Sequence, residues 1–202
     1  MSNKVLRMSV LISGNGSNLQ AIIDAIESGK LKNAKIVQVL SDNASAYGLE
    51  RARKYDIPTK IITAHDYADG RDRNRAYVEA IEMEPTDLIV LAGFLSIIPK
   101  PAVKLHEGRI INIHPSLLPK YGGKGCYGIK VHEQVLEAGE TMTGATVHYV
   151  STEIDAGEII LQKKVEVRPE DTPQILQQRV MEIEHEILPK AIEMIQKERG
   201  FI

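Results

Sequence analysis

Apolar residues in the first half of the chain fall into short unbroken runs separated by stretches with helical spacing. Val5–Ile12 is the first such run, and the loop Ser13–Asn18 follows it. Leu19, Ile22, Ile23 and Ile26 then recur at intervals of three and four, which predicts a helix over Leu19–Glu27 stopped by Gly29. Further strands are predicted at Lys35–Leu40, Lys60–Thr63, Leu88–Ala92 and Arg109–Ile113. Helices are predicted at Tyr47–Tyr55, at Arg71–Met83 ahead of Pro85, and from Pro99, a residue the first helical turn tolerates. Strands without polar alternation, joined by helices, form parallel sheets covered on both faces. Such sheets bind ligands at the carboxyl ends of their strands. That rule singles out three junctions: Ser13–Asn18, Gly93–Ile98 and Asn112–Gly123.

From about residue 140 the pattern changes. Thr143–Val150 alternates, with Ala145, Val147 and Tyr149 on one face, and Glu158–Val167 is a second extended run. These read as antiparallel or mixed strands extending the sheet. Thr172-Pro173 is a helix start, with threonine as cap and proline in the first turn. Ile175, Leu176, Val180, Ile183, Ile187, Ala191, Ile192 and Ile195 then mark one long helix, with a kink expected at Pro189. The pattern as a whole predicts a single Rossmann-like α/β domain over 1–202. Its central sheet is mostly parallel with helices on both faces, followed by a C-terminal antiparallel extension and a long C-terminal helix.

Composition narrows the function classes. The 202 residues are 43% hydrophobic and 26% charged, enough apolar content for a sizeable core. A net charge of −2 gives no broadly basic footprint for nucleic acid. No apolar run reaches the roughly 20 residues of a membrane helix. The start, Met1–Arg7, leads into a strand without a cleavage site, so a signal peptide is not expected. A lone cysteine, Cys126, allows no internal disulfide and fits a reducing cytoplasm. A cytoplasmic enzyme or small-ligand binder is what remains.

Gly14-Asn15-Gly16-Ser17-Asn18 lies between the first strand and the first helix. Glycines there let the backbone approach a ligand closely, and the free amides of the next helix favour a phosphate. A dinucleotide fingerprint would want a third glycine where Leu19 stands. No Gly-Lys-Ser/Thr follows, which removes a Walker loop. A monophosphate cradle fits, with Ser17 and Asn18 adding side-chain donors. A tight turn capped by Ser17 would explain the same residues.

The strand Arg109–Ile113 runs into Asn112-Ile-His-Pro-Ser-Leu-Leu-Pro119. Asn112 and His114 are two apart, so both side chains leave one face of a strand. The carboxamide can donate to a developing oxyanion. The imidazole, with an unperturbed pKa of about 6.5, can carry protons near neutrality. Asp155, in Glu-Ile-Asp-Ala-Gly157 between two predicted strands, is the best partner for that imidazole, because a nearby carboxylate favours its charged form. An ordinary turn aspartate is the competing reading.

The other histidines score lower. His65 and His106 sit in loop and helix-end contexts, His132 begins an amphipathic helix, and His148 falls on the polar face of a strand. His185, among Glu182, Glu184 and Glu186, reads as part of a solvated face. No pair has metal-ligand spacing, so no metal is expected. Cys126 sits in Gly122–Gly128 without an obvious base and reads as an incidental thiol.

Four segments now carry a resemblance: Leu11–Gln20, Leu91-Ala-Gly-Phe94, Asn112–Tyr121 and Asp155-Ala-Gly157. Together they resemble the folate-dependent phosphoribosylglycinamide formyltransferases, collinearly from about Met8 to Ile195. The His-Pro-Ser-Leu-Leu-Pro segment is shared with other users of 10-formyltetrahydrofolate. The Ser-Gly-Asn-Gly-Ser-Asn loop is more selective. The resemblance implies formyl transfer from 10-formyltetrahydrofolate to the amine of phosphoribosylglycinamide in purine synthesis. Asn112, His114 and Asp155 are then the catalytic trio, with Asp155 keeping His114 charged. Gly16, Ser17, Asn18, Leu19, Gln20, Gly93 and Glu184 are implied to meet the phosphorylated substrate, Glu184 at its ribose hydroxyls. Leu95, Ser96, Ile97, Ile98 and Asn112 are implied to meet the folate, with Arg71 preferred over Arg73 and Arg75 as its arginine. Residues 1–110 become a phosphate-binding half and 111–202 a catalytic and folate-binding half.

The chain departs from the family after Leu-Leu-Pro, where Tyr121-Gly-Gly-Lys-Gly-Cys-Tyr-Gly128 replaces Tyr-Pro-Gly and histidines. Such a loop would suit a lid. Two other formyl-folate enzymes, the methionyl-tRNA formyltransferase and the formyltetrahydrofolate hydrolase, share the catalytic segment but carry an extra domain that this length leaves no room for. A non-catalytic nucleotide binder would not need the Asn112–His114 pair. The partners implied are small molecules, with no nucleic acid and no membrane. A homodimer is compatible with the chain, whose sequence does not fix an oligomeric state.

Overall fold

The computed structural model describes residues 4–67 and 69–202. Met1–Asn3, the start of the N-terminal segment read above, lie outside the described residues, as does Ala68. The elements run β1 (Leu6–Ile12), α1 (Ser17–Glu27), β2 (Ala34–Ser41), α2 (Tyr47–Lys54), β3 (Thr59–Ile61), α3 (Gly70–Met83), β4 (Leu88–Leu91), α4 (Lys100–Leu105) and β5 (Ile110–His114). Then come α5 (Ile129–Glu137), β6 (Met142–Tyr149), β7 (Ile159–Glu166) and α6 (Pro173–Glu198).

The strands form one seven-stranded sheet in the order β3-β2-β1-β4-β5-β6-β7. β1 pairs in parallel with β2 and β4, and β4 with β5, whereas β5–β6 and β6–β7 are antiparallel. The parallel part explains the unbroken apolar runs, because each strand buries both faces. Leu6, Met8, Val10 and Ile12 of β1 enter a core shared with α1, α2, α5 and α6. Leu11 enters a second core with Ala76, Tyr77, Ala80 and Ile81 of α3 and Ala102 and Val103 of α4. The same division sends Leu88 and Val90 to one face of β4 and Ile89 and Leu91 to the other.

Boundaries differ from the sequence pattern where capping decides them. α1 begins at Ser17, two residues before the apolar spacing, because Gly16 takes the left-handed conformation (φ 73°) as its cap. Ser17 is therefore not the cap; its hydroxyl donates to Met181 Sδ at 3.4 Å. α3 begins at Gly70 because the Asp69 carboxylate accepts from the amides of Arg71 and Asp72. α5 starts three residues before His132. α6 starts where Thr172 accepts from the amide of Ile175 and stays a single helix through Pro189. Strand order reverses between β1 and β4, so the carboxyl ends of β1, β4 and β5 open on one crevice.

Candidate active site

Asn112 and His114 leave β5 on the side covered by α3 and α4, the opposite side from Ile111 and Ile113. Asn112 pairs with Leu91 on β4 and with His148 on β6. Its Nδ2 lies 3.1 Å from His148 Nε2. His148 Nδ1 lies 2.8 Å from the Tyr149 carbonyl, which can only accept. The proton of His148 is therefore on Nδ1, and its bare Nε2 accepts from Asn112. His148, predicted for a polar strand face, is instead 2% exposed. Burial pushes its pKa below the usual histidine value, against the opposing pull of the Tyr149 bond and of Asp155. A neutral imidazole thus fixes which way the Asn112 amide faces.

His114 is 4% exposed, and its Nε2 donates to the Tyr121 carbonyl at 2.8 Å. Asp155 lies between two imidazoles, with Oδ2 3.7 Å from His114 Nδ1 and Oδ1 3.7 Å from His148 Nε2. Both separations exceed direct hydrogen-bond length, and the Asp155 charge pulls the His148 pKa up against its burial. Asp155 Oδ2 also accepts from the Gly123 amide at 2.8 Å. The structure thus brings Asn112, His114 and Asp155 together across more than 30 residues of sequence, in a place where spacing alone could not.

The turn that carries Asp155 is pressed against the sheet. Asp155 has φ 53°, a left-handed conformation that aspartate tolerates better than most residues. A Cβ on Gly157 would stand 1.7 Å from the Tyr149 carbonyl oxygen, so only glycine fits. Asp-Ala-Gly is accordingly a backbone requirement as well as a chemical one.

His132 completes the cluster. It is 1% exposed, and burial together with the neighbouring His114 pushes its pKa down to about 4. Its Nδ1 is without a hydrogen-bond partner among the described residues. Sequence reasoning missed both His132 and His148, because helical and strand periodicity do not show which buried histidines converge.

The glycine loop turns at Gly16, where an added Cβ would meet the Cα of Gly48 at 2.6 Å. Past it the first-turn amides of α1, at Ser17, Asn18 and Leu19, have no helical acceptor. Asn18 is buried, and its Nδ2 donates to Glu184 Oε2 at 2.7 Å. Burial raises the Glu184 carboxyl to about 7, with the Asn18 bond working the other way. A cavity of about 820 Å³ runs from this loop along α1 and α6; Ser17, Gln20, Arg51 and His185 are among its lining residues. His185, predicted to be solvated, is partly buried with an Nε2 lacking a partner among the described residues.

The Gly93–Ile98 segment lies at the carboxyl end of β4. Gly93 has φ 74°, and its carbonyl accepts from the Ser13 amide at 3.2 Å. The Leu95 amide donates to Ser13 Oγ at 2.7 Å, which ties this segment to the glycine loop. Leu95 and Ile97 expose apolar side chains, whereas Ile98 is buried against α3 and α4. Ser96 Oγ donates to Asp42 Oδ2 at 2.6 Å and accepts from Arg73 NH2 at 2.9 Å. Arg71, the arginine preferred from sequence, does not reach this segment. Its side chain is 91% exposed and folds back on Asp69 at the cap of α3. Arg73, two residues further along α3, is the arginine that reaches this segment, held against Tyr77 by a hydrogen bond and a ring contact.

The Gly122–Gly128 loop borders the trio through the Gly123–Asp155 bond. Cys126 donates to Gln134 Oε1 at 3.3 Å. Among the described residues no group of three or more histidine, cysteine, aspartate or glutamate side chains is arranged to hold a metal, and no helix is long and apolar enough to cross a membrane.

The chain is 41% identical to the phosphoribosylglycinamide formyltransferase of Haemophilus influenzae, over 92% of this chain and 85% of that one. It is 45% identical to the trifunctional purine biosynthetic protein adenosine-3 of Bos taurus over 95% of its length, but spans only 18% of that longer protein. Among solved structures, glycinamide ribonucleotide transformylase 1 from Symbiobacterium toebii superposes with a TM-score of 0.90 at 36% identity, covering 98% of this chain and 94% of that one. The phosphoribosylglycinamide formyltransferase of Coxiella burnetii superposes with a TM-score of 0.84 at 46% identity, covering 93% and 85%. The formyl transferase family profile matches residues 6–192. A fold of this order, an Asn–His pair at the end of β5 and a match over nearly the whole chain place the protein in the formyl transferase family.

Proposed function

We propose that the protein transfers a formyl group from 10-formyltetrahydrofolate to the amine of 5'-phosphoribosylglycinamide. The observation that carries this reading is the convergence of Asn112, His114 and Asp155 at the carboxyl end of β5, in the crevice that the glycine loop also borders. The names of the relatives, phosphoribosylglycinamide formyltransferase and glycinamide ribonucleotide transformylase, support the acceptor and the group transferred.

The substrate phosphate meets the free amides of Ser17, Asn18 and Leu19 past Gly16, at the positive end of α1. Gln20 braces the first turn. Glu184, reached through Asn18, faces the ribose hydroxyls. Gly93 leaves room for the amine beside the exposed Leu95 and Ile97, which with Ser96 and Ile98 border the pterin. Arg73 replaces Arg71 as the arginine offered to the folate side.

The amine nitrogen attacks the formyl carbon, and the carbonyl electrons move onto oxygen. One Nδ2–H of Asn112 is held by His148, so the other is free to donate to that oxyanion. His114, its Nε2–H held by the Tyr121 carbonyl, stands beside that oxyanion with Nδ1 toward Asp155. Collapse breaks the bond to N10 of the folate. The proton lost by the amine ends on that nitrogen, with His114 as carrier. Residues 1–110 thus supply the phosphate side and 111–202 the chemistry, although Asn18–Glu184 and Leu95–Ile98 cross that line.

The test offers 10-formyltetrahydrofolate with either phosphoribosylglycinamide or water as sole acceptor, while folate absorbance is followed. Tetrahydrofolate release that depends on phosphoribosylglycinamide is the expected result. Release with water alone would make the protein a hydrolase and overturn the reading.

A further inference from the structure

The glycine loop is gripped from outside by a residue that no step above uses. Arg51, on α2, donates from Nε to the Asn15 carbonyl at 2.9 Å and from NH2 to Asn15 Oδ1 at 2.9 Å. Its NH1 donates to Gln20 Oε1 at 3.1 Å. One guanidinium therefore bonds the residue before Gly16 and the first turn of α1 after it, spanning the point where the backbone reverses. Its plane is set by the Tyr47 ring, 5.0 Å away. The rest of α2 backs the same loop, since the Gly48 amide donates to the Gly14 carbonyl at 3.1 Å.

The electrostatics give that grip a purpose. All three acceptors of Arg51 are neutral oxygens. α1 has no acidic residue in its first turn. A cation at the positive end of a helix is unfavourable by itself. Arg51 also helps to push the His185 pKa down, after burial, in the cavity they share. Asp24, further along α1, accepts from Gln20 Nε2 at 2.8 Å and so fixes the Gln20 amide with its oxygen toward Arg51. Although Asp24, Glu186 and Glu193 line the same cavity, the guanidinium's own bonds go only to neutral oxygens, which leaves its charge available to an anion at the loop.

We propose that Arg51 is the positioning residue of the phosphate site. It holds Asn15 and Gln20 so that the amides past Gly16 converge, and it biases the loop toward a phosphomonoester dianion. This rests on the reading of the loop as the phosphate site. A lysine cannot reproduce the role, because a point charge cannot bond Asn15 and Gln20 together.

The experiment compares phosphoribosylglycinamide with its dephosphorylated nucleoside as acceptor, for the wild type, Arg51→Gln and Arg51→Lys. The wild type favours the phosphorylated acceptor. Arg51→Gln raises KM for it by about tenfold to a hundredfold, with a smaller change in kcat and an unmoved KM for the formyl donor. Arg51→Lys falls between the two. A variant that folds and keeps the full wild-type preference for the phosphate overturns the proposal. If Arg51→Gln fails to fold, Arg51→Lys decides on the same criterion. A wild type indifferent to the phosphate overturns both this proposal and the reading of the loop.

Discussion

Asn112 and His148 face each other across the β5–β6 ladder, and the amide nitrogen of one is bonded to the bare ring nitrogen of the other. An asparagine amide has two nearly isosteric orientations, and only one points an N–H at a substrate oxygen. His148→Phe removes the acceptor while keeping the ring volume. Turnover is expected to fall by about tenfold to a hundredfold, as for a misaimed oxyanion donor, with KM for both substrates nearly unchanged. Steady-state kinetics check this, and an unchanged kcat would show that the amide is held by other means.

The trio itself is expected to separate binding from chemistry. Asn112→Ala, His114→Ala and Asp155→Asn should each lower kcat by about 10² or more while calorimetry still detects phosphoribosylglycinamide. The double variant His114→Ala/Asp155→Asn should be scarcely worse than His114→Ala, because the carboxylate works through the ring. Multiplying losses would sink that assignment.

Glu184 links the site to pH. Its carboxyl is raised to about 7, so the folded chain holds that proton at pH values where the unfolded chain, with an ordinary carboxyl, has lost it. Ionised Glu184 therefore costs stability as pH rises from about 4.5 toward 7, by up to about 3 kcal/mol above that window. Glu184→Gln keeps an acceptor for Asn18 and removes that cost. Urea unfolding should find the variant more stable than the parent at pH 8, with the difference vanishing near pH 4. Equal stability at pH 8 would show that the carboxyl is not raised.

Arg71 and Arg73 make a matched comparison on one helix. Arg73→Ala removes the bonds to Ser96 and Tyr77 and is expected to raise KM for the formyl donor several-fold, by about 1 kcal/mol of lost positioning. Arg71→Ala removes only an exposed pair at the cap of α3, which such pairs make nearly neutral. The reverse ranking in donor KM would restore Arg71 as the folate-side residue.

The parallel sheet was legible in the sequence because burying both faces of a strand leaves an unbroken apolar run, as in Leu88–Leu91. The long last helix was legible from the spacing of Ile175 to Ile195. Asn112 and His114 were legible because strand geometry alone puts them on one face. Asp155 was legible as a candidate from its turn beside Gly157, but spacing could not separate it from an ordinary turn aspartate, since its contact depends on how the β6–β7 turn folds back. His148 and His185 were misread because a polar residue in an alternating pattern looks solvated until the element packed against it is known. Arg71 was preferred over Arg73 because the cap at Asp69, which turns Arg71 outward, is a three-dimensional detail of one side chain.

Asn18 and Glu184 are bonded across 166 positions of the chain. The glycine loop and the last helix are thus tied by a side-chain bond as well as by the packing of α1 on α6. On the proposed reading, a variant without α6 would keep Asn112 and His114 in its sequence and lose the ribose side of the site.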